Sequence, residues 1–80
     1  MDKIFSPIKK RILNYIENQG IKKETFYTET GIAAANFKGV GMKSEIGGDK
    51  IAKILTKYTE INTEWLLTGK GNMLKGSENA

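Results

Sequence analysis

Lys22, Lys23, Lys38 and Lys43, with Asn36 and Ser44 among them, are the side chains best equipped for chemistry in this sequence. The chemistry they offer is the holding of an anion. There is no cysteine and no histidine, which removes disulfides, thiolate sites, most zinc sites and nearly all nucleophile–imidazole catalysis. The nine Asp and Glu residues are scattered and none stands out as a pair. No enzyme, cofactor, metal or small-molecule substrate is therefore expected. Residues 1–43 carry eight basic and four acidic residues, whereas residues 44–80 carry five of each. The whole formal excess of +4 thus lies in the first half. A one-sided positive field suits a polyanion such as nucleic acid; the plain alternative is a solvated, lysine-rich surface.

Those residues must be positioned by small elements, because eighty residues make one domain near the lower limit for an unstapled core. Ser6-Pro7 reads as a helix start, with a hydroxyl cap and a proline where no amide is needed. Ile8, Ile12, Tyr15 and Ile16 then form one apolar stripe, with Lys9, Lys10 and Arg11 mostly off it. Gly20 caps this first helix, expected over 7–19. A second helix is expected over 23–30, anchored by Phe26 and closed by Gly31, where a left-handed φ is cheap only for glycine. A third, short helix is expected to begin at Ala33 or Ala34 and run through Lys38. Phe26, Ile32, Phe37 and Val40 are expected to point inward around this glycine turn, an arrangement that suggests a helix-turn-helix.

Residues 39–48 hold four glycines and read as a flexible connector. The fourth helix opens at Asp49 and carries Ile51, Ile54, Leu55 and Tyr58 on one face. Asn62 is a strong cap for a fifth helix over 63–68, closed by Gly69, in which Trp65, Leu66 and Leu67 supply bulk. Met73 or Leu74 is expected to fold back over Trp65. The expected fold is an all-α, five-helix bundle over residues 1–74, followed by a disordered tail over 75–80. No signal peptide fits Met1 to Phe5, and no stretch approaches the roughly 20 apolar residues that span a bilayer. A cytoplasmic location without a membrane partner is the default expectation.

The stretches FYTETGIA, around the turn, and INTEWLLTGKGNML, from Ile61 to Leu74, carry a likeness to a known family. From Pro7 to Leu74 the chain resembles the helix-turn-helix domain of phage-repressor-like regulators of the lambda-repressor-like fold. The resemblance implies a DNA-binding transcriptional regulator, usually a repressor, that is dimeric on a palindromic operator. It puts Gly31 in the turn slot and Phe26, Ile32, Phe37 and Val40 in core slots. Lys23 falls where the first motif helix touches a phosphate. Ala34 and Ala35 fall on base-reading slots, and Gly39 on another. Three positions depart from the pattern. Tyr27 fills a slot that is usually small, Ala33 replaces a serine-like cap, and alanine occupies slots where relatives place Gln, Ser or Arg.

Within that frame, alanine methyls can pack on thymine methyls, and Asn36 has the chemistry for adenine N6 and N7. Lys38 can reach a guanine edge or a phosphate. Lys22 and Lys23 at the start of the second helix, with Lys43 and Ser44 after the third, are the expected phosphate clamps. The competing expectation is a protein-interaction module, an antirepressor or toxin–antitoxin partner that keeps the fold without strong DNA binding. The glycine-rich GVGMKSEIGG lacks the preceding strand and the residue order of a nucleotide-phosphate loop. Trp65, beside Leu66 at helical spacing, is expected in the core. Tyr58, Ile61, Leu67 and Met73 are the candidates for a dimer surface.

Overall fold

Ser6 begins the ordered architecture in the role its type suggests. In the computed structural model, which describes residues 6–76, its Oγ accepts a 3.2 Å hydrogen bond from the Lys9 amide and caps α1 (Pro7–Asn18). At the other end, Gly20 at φ 71° closes α1. There the Ile21 amide donates to Ile16 O and the Gly20 amide to Glu17 O, which satisfies two carbonyls the helix leaves open. Helix α2 (Lys23–Thr30) ends at Gly31, φ 73°. Thr30 reinforces that end, with Oγ1 donating to Phe26 O and accepting from the Ile32 amide.

The third expected helix departs from its sequence reading. Two 3-10 helices, η1 (Ala34–Phe37) and η2 (Gly39–Lys43), stand in its place, broken at Lys38 by extended backbone at φ −133° and ψ 145°. Alanine propensity favours α-helix, but Phe37 must reach the core while Gly39 turns left-handed at φ 51°. The following residues are correspondingly ordered rather than a loose connector as far as Lys43. Helix α3 (Gly48–Lys57) starts one residue before Asp49, and α4 (Thr63–Thr68) is capped as expected. The Asn62 Oδ1 accepts from the Glu64 amide at 3.1 Å, and Gly69 closes α4 at φ 84°. The fold is all-α: among the described residues four α-helices and two 3-10 helices, with one isolated antiparallel bridge between Ile61 and Leu74.

The core joins Ile12, Tyr15 and Ile16 of α1 to Phe26, Ile32, Phe37, Ile46, Ile54, Tyr58, Ile61, Trp65 and Leu66. An aromatic chain runs through it. Tyr15 meets Tyr58 edge-on at 5.7 Å, Tyr58 stacks on Phe26 at 5.9 Å, and Phe26 meets Phe37 edge-on at 5.7 Å. Such pairs contribute about 0.5–1.5 kcal/mol each beyond their area. Three sequence expectations fail here. Val40, assigned inward, is 82 % exposed, and Leu67, assigned to the bulk of the fifth helix, is 42 % exposed. Lys9, placed off the stripe, is fully buried at 0 %. Trp65 is buried, and of the four dimer-surface candidates Tyr58 and Ile61 are buried too, which leaves Leu67 exposed and Met73 half-buried.

The tail does fold back. Beyond the Ile61–Leu74 bridge, the Asn62 amide donates to Met73 O and the Lys75 amide to Glu60 O, both at 2.8 Å. Pairing thus reaches Lys75, inside the stretch expected to be disordered; residues 77–80 of that stretch, like Met1 to Phe5, lie outside the described residues. No helix among the described residues is long and apolar enough to cross a membrane.

Candidate nucleic-acid interface

The expected contact residues gather on α2 and the η1–η2 segment, which aromatic packing joins. Phe37 of η1 meets Phe26 edge-on and stacks against the half-buried Tyr27 at 6.0 Å. Tyr27 therefore serves as a platform for η1. Behind η1 lies η2. A Cβ at Gly41 would overlap the carbonyl of Ala35, so this approach requires glycine.

The first turn of α1 ties the same segment from a third side. The Lys9 Nζ donates to Gly41 O at 2.6 Å and reaches Ser44 Oγ at 3.4 Å. The Ser6 amide donates to Met42 O at 2.7 Å, and Ser6 Oγ donates to Glu45 Oε1 at 3.2 Å. Burial pushes the Lys9 ammonium below its usual pKa; Glu45 opposes the shift and Lys50 adds to it. Sequence reasoning missed Lys9 and Ser6 as supports of this segment. The usable sign was spacing, since Lys9 stands three and seven residues before Ile12 and Ile16, on their own stripe.

The individual expected residues are placed as follows. Lys22 is the N-cap of α2 and Lys23 its first residue, both exposed, with no side chain capping the helix amides. Ala33, extended at φ −67°, likewise gives η1 no side-chain cap. Ala34 is half-buried and Ala35 exposed. Asn36 is half-buried and turned back on its own turn, its Nδ2 donating to Ala33 O at 3.2 Å. A bidentate contact to adenine must share or break that bond. Lys38 is exposed on the extended step between η1 and η2, and Lys43 is exposed at the end of η2. Ser44 is exposed, but its Oγ already donates to Gly41 O at 3.3 Å and belongs to the Lys9 cluster.

Among the described residues, Lys57 pairs with Glu29 at 3.2 Å on the α2–α3 side, whereas Lys22, Lys23, Lys38 and Lys43 form no ion pair. Lys38 and Lys43 thus stand within a segment whose exposed side chains are otherwise small, whereas Lys22 and Lys23 stand at the N-terminal end of α2, where Lys23 lines a groove with Leu13, Ile16, Glu17 and Ile21. No group of three or more acidic side chains among the described residues is arranged to hold a metal ion. Comparisons with protein-family models, with curated proteins and with solved structures find no match to this chain.

Proposed function

We propose that this protein binds double-stranded DNA in a sequence-specific manner as a transcriptional regulator of the phage-repressor-like, lambda-repressor-like helix-turn-helix type. Ala34, Ala35, Asn36 and Lys38 face base edges in the major groove; Lys22, Lys23, Lys43 and Ser44 hold phosphates on either side. The observation that carries this reading is two pairs of exposed lysines, unpaired among the described residues: Lys38 and Lys43 within the η1–η2 segment, and Lys22 and Lys23 at the start of α2, the helix whose Phe26 and Tyr27 pack on η1. Small side chains let a backbone segment approach base edges closely, and unpaired cations release counterions on binding. The reading element is two short 3-10 turns rather than an α-helix, so it presents fewer side chains to the groove than a full recognition helix. A homodimer on a palindromic operator, working in the cytoplasm as a repressor, completes the reading.

The test is fluorescence anisotropy with a labelled generic duplex at about 50 and 200 mM salt. Three phosphates neutralised by Lys22, Lys23 and Lys43 give a log–log slope of about −2.7, so affinity should fall by about 40-fold across that range. Absence of binding at the lower salt would instead favour the protein-interaction reading. The brevity of η1 is the observation on its side.

A further inference from the structure

Val40 is a β-branched apolar side chain held out in water. It is 82 % exposed, between Gly39 and Gly41, in the first turn of η2. A lone surface valine needs no explanation by itself. This one differs because the backbone around it is fastened. The Gly41 amide donates to Lys38 O at 2.9 Å, closing a turn over Val40. The Gly41 carbonyl takes the buried Lys9 ammonium, and the Met42 carbonyl takes the Ser6 amide. The missing Cβ of Gly41 lets the turn rest against the Ala35 carbonyl. The isopropyl group is therefore presented in a fixed direction, and its stiff χ1 leaves little freedom to lose on contact.

Its surroundings choose the partner. The glycines on either side add no apolar surface, and the next side chains along the chain are the exposed Lys38 and the half-buried Met42, followed by exposed Lys43. One branched methyl pair flanked by cations is too small an apolar patch for a protein groove or a lipid surface. It matches the major groove of a duplex, where the thymine C5-methyl is the one apolar knob and phosphates line both rims. Resting on the DNA-binding reading above, we infer that Val40 is a specificity-determining residue that packs on a thymine methyl, extending the reading surface beyond Lys38 into the first turn of η2.

The experiment starts with selection of bound duplexes from a random pool by the wild-type chain and by Val40→Ser. Each thymine of the wild-type site is then replaced by deoxyuridine, which removes only the C5-methyl. One such replacement should weaken wild-type binding about fourfold, the effect of one methyl desolvated in a fitted contact, and leave Val40→Ser binding unchanged. Val40→Ser should also lose preference for thymine at that position while keeping its melting temperature and its salt dependence. If both proteins select the same site and every deoxyuridine penalty is equal in the two, the inference about Val40 is overturned while the DNA-binding reading stands. A wild-type chain that binds no duplex at low salt overturns both.

Discussion

Lys9→Met removes the buried ammonium but keeps an unbranched side chain of similar length, and its expected loss of stability is about 1–2 kcal/mol. A hydrogen bond from a charged group contributes about 1.5–3 kcal/mol net, and Lys9 makes one to Gly41 O at 2.6 Å. Two features reduce the loss. The Gly41 carbonyl keeps the Ser44 hydroxyl as a donor, and the cost of burying the charge, visible in the lowered Lys9 pKa, disappears with the charge. Glu45 is exposed, so it is not left as a buried, unpaired carboxylate. Lys9→Ala gives up the same bond and also roughly three buried methylenes at about 0.8 kcal/mol each, for a total of about 3–4 kcal/mol. Urea unfolding followed by Trp65 fluorescence measures both, with equal m-values required for the comparison. By melting, each kcal/mol corresponds to about 4–8 °C in a domain of this size. A Lys9→Met protein as unstable as Lys9→Ala, or more stable than the wild type, would refute the balance drawn here between the ammonium–carbonyl bond and its desolvation.

The two buried tyrosines should respond in opposite directions to loss of the hydroxyl. Tyr58 Oη is buried with no hydrogen-bond partner among the described residues, so Tyr58→Phe should be neutral or stabilising by up to about 1 kcal/mol. Tyr15 Oη donates to the Glu60 carboxylate, so Tyr15→Phe should lose about 1.5 kcal/mol in the same urea assay. Burial, first of all, raises the pKa of Tyr15, Tyr27 and Tyr58 above 10.0, with Glu60, Glu24 and Glu29 among the added causes. The unfolded chain therefore ionises first, and stability should fall as pH rises above about 10, at up to about 1.4 kcal/mol per pH unit for Tyr15 alone. Lys9 acts with the opposite sign: its folded pKa lies below 10.5, so its burial penalty is relieved as pH climbs from that folded value towards 10.5. Urea midpoints between pH 9 and 11 should accordingly fall more steeply for Lys9→Met than for the wild type. Lys23→Ala and Lys43→Ala should each weaken all duplex sequences alike and flatten the salt slope by about 0.9; a loss confined to one operator would assign them to base reading.

Helix ends were the most legible part of the sequence, because the residues that decide them are local. Ser6-Pro7, Gly31, Asn62 and Gly69 name their own positions through a hydroxyl, a missing Cβ or a fixed φ, and each is found in that role. The η1–η2 segment was not legible in this way. Ala-Ala-Ala-Asn-Phe favours α-helix by propensity, yet its conformation is decided by Phe37 entering the core beside Phe26, by Gly41 meeting Ala35, and by Lys9. None of those partners is adjacent in sequence. Val40 illustrates the consequence. Helical spacing from Phe37 would turn it inward, but the extended step at Lys38 and the left-handed Gly39 rotate it out. Lys9 held the right position on the stripe, while its charge argued for the surface. The Gly41 carbonyl, 32 residues away, helped by Ser44 Oγ and the charge of Glu45, makes its burial tolerable.

The bonds that fasten α1 to the rest of the molecule have a bearing on how the chain acquires its shape. From Lys9 to Gly41 and Ser44, from Ser6 to Glu45, and from Arg11 to Leu66 O, they close loops of 32, 35, 39 and 55 residues. Each must overcome loop-closure entropy before it returns anything, whereas α1 and α3 can form turn by turn from neighbours in sequence. The η1–η2 segment has no α-helical ladder of its own, so its geometry is acquired when α1 docks. In folding kinetics it belongs to the late-ordering part of the chain, set by long-range closure and not by helix nucleation. Release of the first turn of α1 should therefore open this segment before the rest of the fold, and its amides are expected to exchange with solvent ahead of those in the core of α1.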